Sequence, residues 1–182
     1  MKEVKIYDVV KLARKATGQI HHIYVHWTAG HHDALFADYH LNITGDGKVF
    51  AAVEDFTQLL SHTWHRNSQA IGIALCCGVD AVLYGDGSFA CGPEPPTQVQ
   101  IETASILLAV LSKTLNIPLE PEYVMTHAEA ADLDGYGPQQ AGTPAFERWD
   151  LWKLPDYDGA WKSGGEVLRG KALYYKHKNL FL

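Results

Sequence analysis

Eight consecutive small or apolar residues, Ala70-Ile71-Gly72-Ile73-Ala74-Leu75-Cys76-Cys77, constrain the fold of this chain more than any other stretch. The run has strand length, and no polar side chain alternates outward along it. A strand of that kind is covered on both faces, which places it inside a sheet with packing layers on either side. Residues 20–27 read as a second strand, rich in β-branched and aromatic residues, that delivers His26 and Trp27 into the small residues Thr28-Ala29-Gly30. Tyr123-Val124-Met125-Thr126-His127 repeats the idea later in the chain: a short apolar run that ends in an imidazole.

Helical and turn signals fall between these strands. Residues 7–17 read as a short amphipathic helix with Gly18 placed to end it. Residues 39–53 form a hairpin around Gly45-Asp46-Gly47, whose central residues are expected to take positive φ. Residues 62–67 carry no apolar period and read as a loop, and residues 78–96 read as an irregular surface loop. Thr97 and Gln100 form a capping-box pair ahead of Ala104, Leu107, Leu108, Leu111 and Leu115 at helical spacing, and Asn116 marks the stop. Residues 128–148 are acidic and rich in glycine, with proline, and read as a long loop. Strands interleaved with helices imply an α/β fold: a single domain with a central mixed β-sheet flanked by helices.

A chain of 182 residues, 47% of them hydrophobic, suits one domain with a sizeable core. Its motif-bearing part runs from about residue 20 to 152, within a domain expected at 1–155. Residues 156–182 then form a basic C-terminal extension. Residues 162–182 carry five basic side chains against one acid, a net of +4, which leaves −10 on residues 1–161 of a chain at −6. The extension reads as a solvated segment, with contact to an anionic polymer such as cell wall as the alternative, and the overall negative charge excludes nucleic-acid binding by bulk electrostatics. Cys76, Cys77 and Cys91 give no disulfide framework, which fits a reducing compartment. Residues 1–5 lack the apolar core of a signal peptide, and no run reaches transmembrane length. A soluble, monomeric protein made in the cytoplasm, without membrane insertion, is expected.

Ten histidines are present, and most are set aside. The adjacent pairs His21-His22 and His31-His32 point to opposite sides in extended chain, and His177 lies in the basic tail. His26 and His127 differ, because each ends an apolar strand. Asp150, between Trp149 and Leu151, is an acid in an apolar stretch, where a lone charge is costly. A metal would remove that cost, and so would a buried arginine or a helix N-cap. Two histidines, one carboxylate and an open position make up a hydrolytic zinc site if the three converge.

The ordered set His26-Trp27-Thr28-Ala29-Gly30, Tyr39-His40 with the Gly-Asp-Gly hairpin, Ser61-His62, Ile71-Gly72-Ile73 and Thr126-His127 resembles the zinc-dependent N-acetylmuramoyl-L-alanine amidases. These share the fold of the peptidoglycan recognition proteins and include many phage endolysins. The resemblance implies that His26, His127 and Asp150 bind Zn2+ and that the substrate is peptidoglycan or a muropeptide. It implies that Tyr39 assists the attacking water or steadies the intermediate. Arg148 stands where many members carry an oxyanion-stabilising lysine. His62, Trp27 and Asn67 are expected to line the substrate groove.

Ala74 departs from the pattern, because several members carry a glutamate there as general base. Tyr39 or Glu129 is expected to substitute. The spacing from His127 to Asp150 is long, with Glu129, Asp132 and Asp134 as competing carboxylates. The expected setting is cell-wall lysis by a phage or prophage enzyme that reaches the wall through a holin or on a phage particle. Muropeptide recycling and a binding-only module are the alternatives.

Overall fold

The computed structural model describes residues 1–178. Among them the strands are β1 (Lys2–Val4), β2 (His22–Trp27), β3 (Leu41–Ile43), β4 (Val49–Ala51), β5 (Ala70–Leu75), β6 (Val82–Leu83), β7 (Phe89–Ala90), β8 (Val124–Thr126), β9 (Lys153–Pro155) and β10 (Trp161–Ser163). The helices are α1 (Ile6–Lys15), α2 (Gln98–Leu115), α3 (His127–Asp134) and α4 (Gly164–Lys178). Six strands form one mixed sheet in the order β1-β4-β3-β5-β2-β8. Strands β3, β5, β2 and β8 run parallel, while β4 and β1 complete one side antiparallel. The chain is a small α/β domain with a central mixed sheet flanked by helices.

The apolar run becomes β5, all six residues buried between β3 and β2. Its side chains alternate by size rather than polarity. Ile71, Ile73 and Leu75 join the main core with Ile23, Val25, Leu41 and Ile43 and with Leu107, Leu108 and Leu111 of α2. The small residues Ala70, Gly72 and Ala74 lie on the opposite face and leave room for a second layer, in which His62 packs over Gly72. A Cβ on Gly72 would lie 2.7 Å from His62 Cγ, so only glycine admits that ring.

Helix α2 begins and ends as the sequence implies. Thr97 Oγ1 accepts from Gln100 N, Gln100 Oε1 accepts from Thr97 N, and Asn116 closes the helix at φ 58°. Gln100 Nε2 also donates to the carbonyls of Ile43 and Cys76, tying the helix start to β3 and the end of β5.

Three local expectations change. The β3–β4 hairpin forms, but among its turn residues only Gly47 takes positive φ (82°), and Thr44 N–Lys48 O closes a longer loop than a two-residue turn. Residues 78–96 contain the β6–β7 hairpin, packed through Phe89 against Trp149, Trp152 and Trp161. The expected loop at 128–148 starts instead as α3, capped by Thr126 and Glu129 and closed by Gly135 at φ 81°.

The basic segment is not a solvated tail. α4 buries Val167, Leu168 and Ala172 in the main core, and the last four residues of the stretch lie outside the described residues. Its charges meet partners on the body: Arg169 with Glu129 and Lys171 with Glu102. Upstream of the helix, Lys162 pairs with Asp156. Much of the charge imbalance read along the chain is thus cancelled in space. No helix among the described residues is long and apolar enough to cross a membrane.

Candidate metal centre and cleft

His26 lies on β2 in register with Ala74 of β5, which in turn pairs with Asn42 of β3. The row gives His26 a rigid base on the face of the sheet opposite α2, and the side chain is fully buried. β8 runs parallel beside β2 and passes directly into α3, so His127 stands at the first position of a helix rather than at a strand end. Asp150 arrives on the loop ahead of β9. Its carbonyl accepts from Ala128 N, and Leu151 takes φ 56°.

These three elements bring three donor atoms together. His26 Nδ1 lies 3.1 Å from His127 Nδ1, His127 Nδ1 lies 3.0 Å from Asp150 Oδ2, and His26 Nδ1 lies 3.4 Å from the same oxygen. Ligand atoms around a tetrahedral zinc with bonds of about 2.0–2.1 Å stand roughly 3.3 Å apart. The triangle therefore fits such an ion on three sides and leaves the fourth open. Among the described residues, this is the group of metal-ligating side chains that converges in this way. Its carboxylate and imidazoles are also buried, where unpaired charge is costly.

The electrostatics follow from burial and from the neighbours. Burial lowers the His26 pKa to about 4, against the opposing pull of Asp150. Burial alone would raise Asp150, but His127 and His26 outweigh it and hold the carboxyl well below its usual range. Burial, with His26, His40 and His127 nearby, lowers His62 to about 2. Burial raises the Tyr39 phenol, reinforced by Asp150 and Asp38.

A cleft opens over the group in two lobes. The larger, about 790 Å³, is lined by Trp64, His65, Asn67, Tyr136, Glu147 and Arg148 among others. The smaller, about 340 Å³, is lined by Trp27, Phe36, Asp38, Tyr39 and Trp149 and contains Asp150. Ser61, His62, His127, Glu147 and Arg148 border both lobes, so the lobes meet over the candidate metal group. A bidentate pair holds the rim, with Arg66 Nε and Nη2 each 2.6 Å from an oxygen of Asp134.

Most residues singled out in the sequence reach this cleft. The Tyr39 ring lies tilted at 42° to the His26 ring with centroids 5.0 Å apart, and its hydroxyl donates to Trp27 O over 3.5 Å. Arg148 is exposed on the border of both lobes. His62 is 7% exposed and bonded through Nδ1 to Thr63 Oγ1 at 3.0 Å. Trp27 belongs mainly to the core, edge-on to Trp149 at 4.6 Å, and meets only the smaller lobe. Asn67 shapes the loop first: its Oδ1 accepts from the backbone of His62 and Thr63, while its side chain borders the larger lobe.

Glu129 is not brought to the group. Arg169 grips both of its oxygens at 2.8 Å, and one of them also accepts from Thr126 N. It lines neither lobe. Its role is to cap α3 and to pair with a buried arginine. Of the competing acids, Asp134 is held by Arg66, and Asp132 Oδ1 accepts from Gln139 N.

Three residues were not singled out in the sequence. Thr63 Oγ1 lies 3.3 Å from His26 Nε2, Tyr136 Oη lies 3.4 Å from His127 Nε2, and Glu147 borders both lobes. Thr63 was within reach of sequence reasoning as the hydroxyl next to His62. Nothing local marks Tyr136 or Glu147.

A model of the N-acetylmuramoyl-L-alanine amidase family matches residues 16–140. The chain belongs to that amidase family. The matched stretch includes His26, Tyr39, His62 and His127 and stops short of Arg148 and Asp150, so the third donor of this amidase rests on geometry. A search of the curated proteins finds no match.

Proposed function

We propose that this amidase is zinc-dependent and hydrolyses the amide between the lactyl group of N-acetylmuramic acid and L-alanine in peptidoglycan. The observation that carries the proposal is the triangle of donors from His26, His127 and Asp150 at the meeting point of two cleft lobes. A two-armed substrate, glycan on one side of the scissile bond and peptide on the other, matches a two-lobed cleft. When bound, zinc supplies Lewis-acid activation of water and of the scissile carbonyl.

The residues around that ion divide the remaining work. With Ala74 in the central strand and Glu129 held by Arg169, the free carboxylates on the cleft are Asp38 and Glu147. Asp38 reaches one lobe and Glu147 both, so Glu147 takes the base role. It accepts the proton of the attacking water as the carbon–oxygen bond forms, and returns it to the alanine nitrogen as the carbon–nitrogen bond breaks. Arg148 donates to the oxyanion that develops in between, joined by the Tyr39 hydroxyl as it turns from its long bond to Trp27 O. Arginine keeps the charge of the family's lysine and adds a planar fork of donors.

A binding module of the same fold is the second reading. The complete donor set and a cation at the cleft favour catalysis over it. The test is release of new L-alanine N-termini from purified peptidoglycan by metal-stripped protein, before and after zinc. Zinc-dependent release that is lost in His127→Ala is expected. Tight zinc binding without release from any wall type overturns the enzyme in favour of the binding module. Cleavage of intact wall marks a lytic enzyme of the phage or prophage kind, and cleavage of soluble muropeptides alone marks a recycling enzyme.

A further inference from the structure

A histidine that ligates through Nδ1 must carry its proton on Nε2, and that proton needs an acceptor if the ring is to hold one orientation. In this fold both candidate ligands turn Nδ1 inward and Nε2 outward. His26 Nε2 meets Thr63 Oγ1 at 3.3 Å, and His127 Nε2 meets Tyr136 Oη at 3.4 Å. Both acceptors are hydroxyls, on a loop and on the turn after α3, and neither belongs to the donor triangle.

The hydroxyls are themselves fixed. Thr63 is 1% exposed, and Asn67 Oδ1 holds its backbone N–H at 2.7 Å. Thr63 Oγ1 also lies 3.0 Å from His62 Nδ1, which accepts the remaining hydroxyl proton in the Nε2–H tautomer of His62. His62 then presents Nε2–H, the buried side-chain atom without a hydrogen-bond partner among the described residues. Gly72 leaves the space in which that ring sits. Tyr136 is 9% exposed, and its carbonyl accepts from the backbone of Glu147 and Arg148, which ties the ring to the loop that carries Asp150.

We propose that Thr63 and Tyr136 are positioning residues that lock His26 and His127 in the Nδ1-ligating tautomer, with His62 orienting the Thr63 hydroxyl. The proposal rests on the metal reading of the triangle and adds what prepares that triangle before any ion arrives. Valine at 63 and phenylalanine at 136 keep nearly the same shape and remove the acceptors. Each should weaken zinc affinity by about 10–100-fold, and Thr63→Ser should restore it.

The experiment measures zinc affinity by chelator competition for the full chain and for Thr63→Val, Thr63→Ser, Tyr136→Phe and His26→Ala. Melting of each metal-free protein is followed alongside. Weakened zinc binding in Thr63→Val and Tyr136→Phe with metal-free melting unchanged, and recovery in Thr63→Ser, supports positioning. Wild-type affinity in both variants, while His26→Ala binds no zinc, overturns this proposal and leaves the zinc reading standing. A wild-type chain that binds no zinc removes both. A loss of affinity matched by an equal loss of metal-free stability, not rescued by serine, also overturns it, because the hydroxyls would then only hold the fold together.

Discussion

Arg169 offers the sharpest test of how this domain is assembled. Its guanidinium bonds Val124 O at 2.8 Å and both oxygens of Glu129 at 2.8 Å, joining α4 to β8 and to the start of α3. The two side chains are 8% and 27% exposed, so the pair lies between a surface and a core ion pair. Breaking a buried pair costs about 3–5 kcal/mol, because the partner charge stays behind. Glu129 keeps its bond from Thr126 N and some solvent, which places Arg169→Met near the lower end, about 3 kcal/mol. For a chain of this length that corresponds to a melting temperature lower by roughly 6–12 °C. Urea unfolding of Arg169→Met, Glu129→Gln and the double variant gives the coupling, expected above about 1.5 kcal/mol. A coupling below about 0.5 kcal/mol, the value of a surface pair, would refute the reasoning. Glu129→Gln should also keep its peptidoglycan cleavage per folded molecule. A hundredfold loss there with zinc affinity intact would return Glu129 to the chemistry.

Three further outcomes are expected. The metal-stripped protein should lose stability as pH falls below about 6.5. The fold holds His26 and His62 neutral, at about 4 and about 2, so the unfolded chain takes up their protons first and stability rises with pH across that window. Between about pH 7 and pH 5 each imidazole removes on the order of 2 kcal/mol, and a flat stability profile over that range contradicts buried neutral rings. Glu147→Gln should lower kcat by about 10²–10⁴-fold with zinc affinity unchanged, and an unaltered kcat moves the base to Asp38. Gly72→Ala should drive a methyl into His62 at a cost of about 1–3 kcal/mol and weaken zinc binding through Thr63, which thermal melting and chelator competition read separately.

The parts of the fold legible in the sequence are those whose signal is local. α2 carries its own capping box, leucine spacing and αL stop, and β5 carries its uninterrupted apolar run. His26 and His127 stood out because each ends such a run. α3 was hidden by its composition, since His127-Ala128-Glu129-Ala130-Ala131-Asp132-Leu133-Asp134 has no apolar period. Its one local marker was Thr126 followed three residues later by Glu129, the same capping-box spacing recognised at Thr97 and Gln100. Glu129 lies two residues after the candidate ligand His127, a context that suggests chemistry and masks its structural role. α4 begins with two glycines, poor helix formers, and its charges are balanced by Glu102 and Glu129, far away in sequence. Only the tertiary structure shows those partners.

The dependence of the site on α4 follows from the same contacts. Asp150 has a fixed position only if the turn after it is fixed, and Leu151 takes a left-handed conformation there. The Leu151 carbonyl lies 1.8 Å from where a Cβ on Gly164 would stand, so the first residue of α4 must be glycine for the helix to pack against that turn. Gly164 N donates to Trp152 O from the same place. Gly165 leaves the space taken by the Glu129 carboxylate, and Arg169 one turn later grips that carboxylate and the carbonyl of Val124, three residues before His127. Two of the three candidate ligands are thus braced by a helix that lies beyond the family match and beyond a domain boundary drawn at 155. The folded unit that holds the candidate metal group therefore extends into α4, and a chain cut at residue 155 should lose the geometry of Asp150 and His127 together.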